Sequence, residues 1–495
     1  MKKIIPLVFV MISLSCAGKE RDTLRIAISE GIISLDPHTQ DEVVTMEVLG
    51  NVYESLVSFD VDMQLIPMLC TGYTNLNDRT WRFYVRPGVK FHDGRLMSAD
   101  DVIYSLERAR SNEASVFKSM LDVVDRIKKI DSLTVEISTA KPRPNLINTL
   151  TLINIIPDGN DPKVKTIGTG PYGLEASSES MVLRLDGFKE YWGERPFFGK
   201  VEYLVMKDDS LREKSLLNGM IDIDANVLES YRTRMSENKK VKMITRPGST
   251  ITMLGLNVSG SLKNNPLSDI RLRQAISLAI DRRAMVELAC HGHAVPANQV
   301  ATQFIFGFNP DIREIDKEIQ KARLLVNELK AKDTIKLTLK VSAAARLEGR
   351  MIADFLEPLG IDLTVDSMSW SELYNSIENG QAKFYLMGFG YSYGDASELL
   401  NDMVHSPGKY RDFGARNLSG YSNKKLDRIV EMADSEFDPA VRKKLLQEAI
   451  AITTNDLPFI PLYIRDSSYG MRRGLKWTQK TASVMLAKEI GPEIQ

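Results

Sequence analysis

The segment from Trp81 to Arg108 constrains the fold of this 495-residue chain most, because strand, turn and helix signals follow one another in it without a break. Apolar residues at alternate positions predict a first strand with one buried face, and a short second strand follows the Pro87-Gly88 turn. Ser98 and Asp101 have the spacing of a capping box, which predicts a helix beginning directly after Ser98. The segment contains no set of nucleophile, base and orienting group. The apolar positions are Trp81, Phe83 and Val85 in the first strand and Val89 and Phe91 in the second.

Length and charge limit the class of protein. A chain of 495 residues is too long for one hydrophobic core, and we expect two or three domains of roughly 100–200 residues each. Its 64 Lys and Arg residues balance 65 Asp and Glu residues, so the chain has no basic surplus. Because nucleic acids and other polyanions are bound through such a surplus, we expect no nucleic-acid partner.

The N-terminus has the composition of a secretory signal. Two lysines precede an apolar run over residues 4–14, and small residues lead from there to Cys16. The run is shorter than a membrane-spanning helix, which needs about 20 apolar residues. Its end resembles a bacterial lipoprotein box, although Ser13 stands where the usual pattern has Leu. We expect residues 1–16 to form a lipoprotein signal peptide ending at a lipidated Cys16; plain cleavage or a retained signal are the alternatives.

Two cysteines follow Cys16. Cys70 and Cys290 would be able to pair outside the cytoplasm, but one bridge is not a disulfide framework. Cys70 lies in an apolar run where a small buried residue fits. We therefore expect two free, buried thiols.

The segment from Trp81 to Val102 also resembles a long family signature, with Val85 and Ser98 in place of Leu and Thr. The signature is that of the peptide/nickel class, or family 5, of extracytoplasmic solute-binding proteins, the receptors that feed bacterial ABC importers. Further blocks resembling this family extend over about residues 24–465. They include Tyr53-Glu54-Ser55-Leu56-Val57, Gly168-Thr169-Gly170-Pro171-Tyr172, Tyr191-Trp192 and Asp269-Ile270-Arg271-Leu272-Arg273-Gln274-Ala275-Ile276.

The resemblance implies an α/β chain with the two-lobed type II periplasmic-binding-protein fold, mixed β-sheets and a ligand cleft between the lobes. Lobe I would comprise residues 21–45, 160–257 and 465–495, and lobe II residues 258–464. An extra subdomain of lobe I would occupy residues 46–159, with a helix near 115–129. Closure around a ligand would be a hinge motion, with the hinges near Val258 and Leu462.

The segment from Phe384 to Ala396 is the most informative for ligand binding, because glycine and aromatic residues alternate in it. Such alternation leaves backbone amides approachable and provides rings for stacking. Its candidate ligand-binding residues are Gly388, Phe389, Gly390, Tyr391, Ser392 and Asp395.

By resemblance, the peptide-binding relatives have an Asp at the position of Ser392, and that Asp holds the α-amine of the peptide. A buried ammonium without a carboxylate partner is costly. Either Asp395 takes over this role from three residues away, or the ligand has no free α-amine. A third interpretation is that Asp395 caps the helix beginning at Ala396.

Four further residues are candidates for the cleft. Ile32, Ile33 and Ser34 would face it by resemblance to the first loop of the relatives, although both isoleucines also suit a core. Trp370 is either a stacking surface or ordinary packing. His291 and His293 lack a third ligand nearby in sequence, so we expect no metal site and no cofactor.

These features favour a binding protein over an enzyme. No Gly-x-Ser-x-Gly, His-Glu-x-x-His or Cys-His arrangement supports a hydrolase. We expect a monomeric, lipid-anchored receptor in the periplasm or at the cell surface, which captures a short peptide and delivers it to an ABC permease. Oligosaccharide, chelated nickel or haem are alternative ligands, and a surface sensor or adhesin is an alternative role.

Overall fold

The computed structural model describes most of the chain from residue 22 onward. The predicted signal peptide and Cys16 lie outside the described residues. Within the described ranges, no helix is both long enough and apolar enough to cross a bilayer. The described residues are 22–175, 181–261, 265–329, 334–407, 413–478 and 485–493.

Strands occur throughout the chain, and two of them are much longer than the rest. The strands are β1 Thr23–Ile28, β2 Val57–Phe59, β3 Leu65–Pro67, β4 Cys70–Asn77, β5 Thr80–Val85, β6 Val124–Asp131, β7 Thr134–Thr139, β8 Tyr172–Glu175, β9 Val182–Gly187, β10 Lys200–Val205, β11 Ile223–Asp224, β12 Val241–Leu256, β13 Ala294–Pro296, β14 Ile335–Ser342, β15 Ile361–Met368, β16 Phe384–Gly390, β17 Phe459–Arg472, β18 Leu475–Trp477 and β19 Ile490–Pro492.

The helices are concentrated in the second half of the chain. They are α1 Val43–Leu49, α2 Ala99–Ser111, α3 Lys118–Leu121, α4 Leu146–Leu150, α5 Asp209–Leu217, α6 Glu229–Ser236, α7 Ile270–Ala279, α8 Arg282–Ala289, α9 Ile319–Glu328, α10 Arg346–Leu356, α11 Trp370–Glu378, α12 Ser397–Leu399, α13 Lys424–Ser435 and α14 Pro439–Asp456, and a π-helical turn, Leu400–Val404, continues α12.

One long mixed sheet connects most of the molecule. Its strand order among the described residues is β15-β14-β16-β12-β17-β11-β1-β10-β9-β8, and β13 pairs with β17. The pairs β14–β15 and β1–β10 are parallel, whereas β12 is antiparallel to both β16 and β17. The predicted α/β class with mixed sheets is therefore confirmed.

Buried residues form cores in three regions, which we call lobe I, the subdomain and lobe II. The lobe I core surrounds β1 and β10, and the subdomain core lies under the separate sheet β4-β5-β7-β6. Lobe II contains the cores around β14, β16 and the helices of the second half. Cys70 is buried in the subdomain core and Cys290 in a lobe II core, and neither forms a disulfide within the described residues, as expected.

The strands β12 and β17 pass from lobe I to lobe II side by side. Val241 packs in lobe I, whereas Ile251 belongs to a lobe II core. β17 runs the other way, with Ile464 in lobe II and Tyr469 in lobe I. The register between the two strands shifts between Pro247 and Ile251, so the ladder is irregular where the cores change.

The change of core in β12 precedes the predicted lobe boundary after residue 257 and the predicted hinge near Val258. Val258 itself packs against lobe II cores. The sequence signal for a strand was limited to the apolar run from Met253 to Val258. The first half of β12 mixes apolar and charged residues and contains Pro247 and Gly248, and its pairing with β17 is what makes it part of the same strand.

The segment from Trp81 to Arg108 folds largely as predicted. The alternate apolar residues of β5 are buried, and Gly88 has a φ of 77°, as a turn glycine. Ser98 caps α2, and the reciprocal bonds of a capping box with Asp101 are both present. The capped helix packs on the subdomain core through Val102, Leu106 and Ala109.

Two local predictions were wrong. Val89 and Phe91 are buried but form no second strand, since a single bridge from Lys90 to Leu96 replaces it. The helix expected near 115–129 is limited to α3, and the chain from Val124 onward forms β6. Pairing of β6 with β7 outweighs the helical spacing of its apolar residues.

We predict that Ser98→Ala lowers the free energy of unfolding by about 1 kcal/mol, because it removes the N-cap of α2 and half of the capping box. Chemical denaturation measures the change. Ser111→Ala at the other end of α2 is the matched control, since the exposed Ser111 hydroxyl bonds only to the Glu107 carbonyl in the described structure. Equal effects of the two substitutions would contradict the role of the cap.

Candidate ligand-binding site between the lobes

The segment from β16 to α12 presents alternating faces, as its sequence suggests. Gly388, Gly390 and Ser392 are exposed, whereas Phe389 and Tyr391 are buried. The Tyr391 hydroxyl donates a 2.6 Å hydrogen bond to the Val300 carbonyl, and its ring lies edge-on to Phe389 at 5.0 Å. The two aromatic rings therefore belong to the lobe II core. On the exposed face of the strand, the backbone at Gly388 and Gly390 is not covered by side chains of its own.

One edge of β16 is open over its C-terminal half. β12 pairs with β16 along its whole length, from Phe384 to Gly390. On the opposite side, the ladder recorded among the described residues is a single position, Lys340 with Tyr385. The backbone from Met387 to Gly390 is thus paired on one side, and an unpaired strand edge is a template for an added strand.

The residues that follow β16 lie against the subdomain of lobe I. Asn148 donates a 3.0 Å hydrogen bond to the Tyr393 carbonyl. Asn145 donates to the Ser397 hydroxyl at 3.1 Å. The strand edge therefore runs into the boundary between the lobes, and the lobes are closed on each other at that point.

An ion pair spans the same boundary. The Arg143 guanidinium of the subdomain lies 2.7 Å from the Asp434 carboxylate of lobe II, and Asn401 also donates to that carboxylate at 3.0 Å. Burial raises the pKa of Asp434, while Arg143 is the largest opposing influence. When the lobes are closed, Arg143 therefore balances the charge of a carboxylate that would otherwise be buried without a cation.

The negative charge of Asp395 is already balanced by an arginine of lobe II. Its carboxylate is 1% exposed and accepts two hydrogen bonds from Arg442, at 2.5 and 2.9 Å. It also accepts the backbone N–H of Ser397 at the start of α12, at 2.9 Å. The arginine contacts argue against Asp395 as the partner of a ligand ammonium, because its charge is already matched; the N-cap residue of α12 is Ala396.

Sequence reasoning missed Glu398. Its carboxylate accepts the backbone N–H of Ser392 at 2.9 and 3.0 Å and that of Tyr393 at 3.2 Å. Burial raises the pKa of Glu398 to about 7, against the hydrogen bonds from residues 392 and 393, which lower it. The contact joins residues six apart and depends on the turn at Gly394, where φ is 69°. No fixed sequence spacing signals such a contact.

The first loop of lobe I holds the three other cleft candidates. Ile33 is 71% exposed, and its N–H donates to the Thr45 hydroxyl at 3.0 Å. The Ser34 hydroxyl bonds to Thr39 and accepts the Asp36 N–H, so it is used within the loop. Ile32 packs partly on the lobe I core. In the described residues, no hydrogen bond brings this loop onto β16.

Trp370 lies on an exposed face of α11. The packing interpretation was wrong, because the residue is 55% exposed and its ring lies near that of Tyr374, 6.2 Å away. The opposite face of α11 packs through Leu373 and Ile377 against Tyr385 of β16. Trp370 therefore remains available as a stacking surface on lobe II.

A cavity of about 130 Å³ lies elsewhere, between lobe I and its subdomain. No lobe II residue lines it within the described chain. Glu54 at its wall accepts hydrogen bonds from Tyr191, Trp192 and Thr169, and Lys488 lies 3.5 Å from the same carboxylate. The cavity adjoins a closed polar network and is distinct from the edge of β16.

The described part of the chain contains no cluster of three or more His, Cys, Asp or Glu side chains that could hold a metal ion. His291 adopts a φ of 49° and begins the turn with Gly292 that follows α8.

A model of the family described as Bacterial extracellular solute-binding proteins, family 5 Middle, matches residues 64–411. The chain belongs to this family. Family 5 proteins are binding proteins of transport systems, so the expectation that this chain is not an enzyme is confirmed.

Relatives of family 5 match over nearly the whole chain. The glutathione-binding protein GsiB of Salmonella paratyphi A is 25% identical over 462 residues, which cover 89% of this chain and 88% of the relative. The structure of HbpA2 from Haemophilus parasuis has a TM-score of 0.84 at 20% identity, covering 95% of this chain and 100% of that chain.

A second solved structure contains a ligand. It is the periplasmic binding protein DppA from Helicobacter pylori in complex with the peptide STSA, with a TM-score of 0.78 and 21% identity over 95% of this chain and 98% of that chain. These structures confirm the predicted two-lobed periplasmic-binding-protein fold.

We predict that Arg143→Met shifts the lobes toward an open arrangement, because it leaves the buried Asp434 without its cation, a cost on the order of 3–5 kcal/mol. Small-angle scattering would show a larger radius of gyration than that of the unsubstituted protein.

Lys118→Met is the matched control, since Lys118 pairs with the exposed Glu113 within the subdomain. Identical scattering from the Arg143 variant and the unsubstituted protein would contradict the role of this ion pair in closure.

Proposed function

We propose that this chain is the substrate-binding lipoprotein of an ABC importer, which captures short peptides between its lobes and delivers them to a membrane permease. Its membership of family 5 supports the transport role. The glutathione-binding relative and the DppA complex with a peptide support a ligand of peptide chemistry.

The open edge of β16 is the observation that carries the peptide assignment. An extended peptide placed along Met387–Gly390 would exchange backbone hydrogen bonds with the strand, as in β-strand addition. Gly388 and Gly390 present no side chains that would hold the peptide away. Backbone pairing of this kind is independent of the peptide's side chains, so we expect peptides of varied sequence to bind.

Residues of lobe I would cover the side of the ligand that faces away from β16. Ile32, Ile33 and Ser34 are proposed to face the ligand from lobe I, and Trp370 would offer a ring from lobe II. Closure would follow from bending of the β12–β17 ladder at its register shift. Binding between two lobes matches the general preference of ligands for clefts at domain interfaces.

The membrane anchor is proposed from the N-terminal sequence. Lysines, a short apolar run and small residues precede Cys16, in the order of a lipoprotein signal. Two or more acyl chains on Cys16 would hold the protein stably at a membrane surface, close to its permease. We propose a monomer in the periplasm or at the cell surface, without a cofactor.

Native mass spectrometry of freshly purified protein lacking Cys16 tests the ligand class. We predict a distribution of bound masses that fragments into short peptides, because backbone pairing admits many sequences. Denatured protein from the same preparation is the control for covalent adducts.

A uniform unliganded mass, combined with thermal stabilisation by oligosaccharides, nickel chelates or haem alone, would overturn the peptide assignment. The transport role would survive that result, since it rests on the family. Absence of stabilisation by any of these ligands would instead favour a surface sensor or adhesin.

A further inference from the structure

The cavity between lobe I and the subdomain has a size that suits a small organic molecule. Its volume is about 130 Å³, close to the roughly 150 Å³ of an engineered apolar cavity that binds benzene. Apolar side chains line it from three parts of the chain, namely Leu49 of α1, Phe117 at the start of α3 and Leu152 just after α4. A ring or branched chain of about six carbon atoms would therefore fit.

One charged side chain in the cavity wall has hydrogen-bonding capacity to spare. In the part of the chain that the structure describes, the Lys488 ammonium reaches the Glu54 carboxylate and the Tyr191 hydroxyl, each at 3.5 Å. Both distances exceed the usual range of about 2.7–3.2 Å, and an ammonium has three hydrogens to donate. The Lys488 side chain is only 15% exposed, so water replaces few of the missing contacts. Lys488 is thus able to donate to an acceptor inside the cavity.

The carboxylate of Glu54 depends on Lys488 only in part. It accepts hydrogen bonds from the Tyr191 hydroxyl at 2.7 Å, the Trp192 indole N–H at 2.8 Å and the Thr169 hydroxyl at 3.0 Å. Burial and the charge of Glu54 raise the pKa of Tyr191, so its hydroxyl stays protonated and donates. Because three neutral donors already stabilise Glu54, the charge of Lys488 remains available to a second anion.

A second cation lies beside the same network. The Arg86 guanidinium lies over the Trp192 ring, 4.5 Å from its centroid, and donates to the carbonyl of Met68, which lines the cavity, at 2.8 Å. Arg86 forms no ion pair within the described ranges. Two cations, Arg86 and Lys488, therefore accompany the single carboxylate of Glu54. This surplus of positive charge favours an anionic ligand.

Other charged groups next to this network cancel. Asp36 and Arg108 form a buried ion pair with each other, and Lys90 pairs with Glu190. Burial lowers the pKa of His38 to about 4, so its imidazole is neutral at neutral pH. The surplus therefore persists when these neighbours are included.

We propose that this cavity is a second binding site, which takes a small carboxylate with a compact apolar body, such as an aromatic acid or a branched aliphatic acid. The apolar body would lie against Leu49, Phe117 and Leu152, and Lys488 would donate to the carboxylate. A tripeptide is too large for this volume, so the site is separate from the proposed peptide site on β16. Since lobe I and the subdomain supply the lining, binding would stabilise their contact without closure of lobe II.

Benzoate, benzamide and benzylamine share one ring and differ in charge, so calorimetry with these three compounds tests the site on the unsubstituted protein. Benzoate should bind at least roughly tenfold more tightly than the neutral benzamide, and the cationic benzylamine should bind most weakly. Equal affinities for the three compounds would overturn the proposal, because the ring alone would then account for binding. Absence of saturable benzoate binding would also overturn it.

Lys488→Met removes the ammonium and keeps a side chain of similar length. Benzoate affinity should fall roughly 10- to 100-fold, whereas benzamide affinity should stay unchanged. Lys488→Arg should retain the preference for benzoate, because it retains the cation. Lys340→Met is the matched control, since Lys340 is a half-buried lysine of lobe II that donates to Ser376. Unchanged benzoate affinity in Lys488→Met would contradict the assigned role of the ammonium.

Amide hydrogen exchange locates the bound compound. Benzoate should slow exchange in α1 and at residues 151–154, and should leave Met387–Gly390 unchanged. Ser58→Leu should abolish this effect, because Ser58 lines the cavity and leucine would occupy part of its volume. Thr71→Leu, at an exposed position of the same subdomain, is the control. Slowed exchange at Met387–Gly390, or benzoate binding retained in Ser58→Leu, would overturn the placement of the site.

Discussion

The pairing of β12 with β17 is the constraint on which the rest of the molecule depends. These two strands lie side by side and pass through both lobes, so the backbone ladder between them fixes how the lobes are joined. The ladder resists sliding, while the register shift between Pro247 and Ile251 interrupts it where the cores change. Because β16 pairs directly with β12, the strand proposed to bind ligand is anchored to the same connection.

One short segment forms contacts between the lobes and also contains two of the candidate ligand-binding residues. Residues 392–398 contact the subdomain through Tyr393 and Ser397, and they carry both Asp395 and Glu398. Buried ion pairs contribute little net stability, because desolvation offsets much of their attraction. Arg143–Asp434 and Asp395–Arg442 are therefore better understood as fixing geometry.

Local signals in the sequence predicted much of the fold, and long-range contacts account for the failures. The capping box of Ser98 and Asp101 and the alternation of β5 depend on neighbours in sequence, and both were predicted correctly. β6 has helical spacing and becomes a strand because β7 pairs with it. The alternation of glycines in β16 was visible in the sequence, but its open edge depends on where β14 pairs with it, and the partners of Asp395 and Glu398 depend on Arg442 and on the turn at Gly394.

Amide hydrogen exchange at Met387–Gly390 tests most directly whether a peptide adds to β16 as a strand. Added tripeptides should slow exchange of the backbone amides along this edge, since those groups gain hydrogen-bond partners, while the amides of the cavity beside Glu54 stay unchanged. Slowed exchange at the cavity with no change along Met387–Gly390 would contradict strand addition to β16.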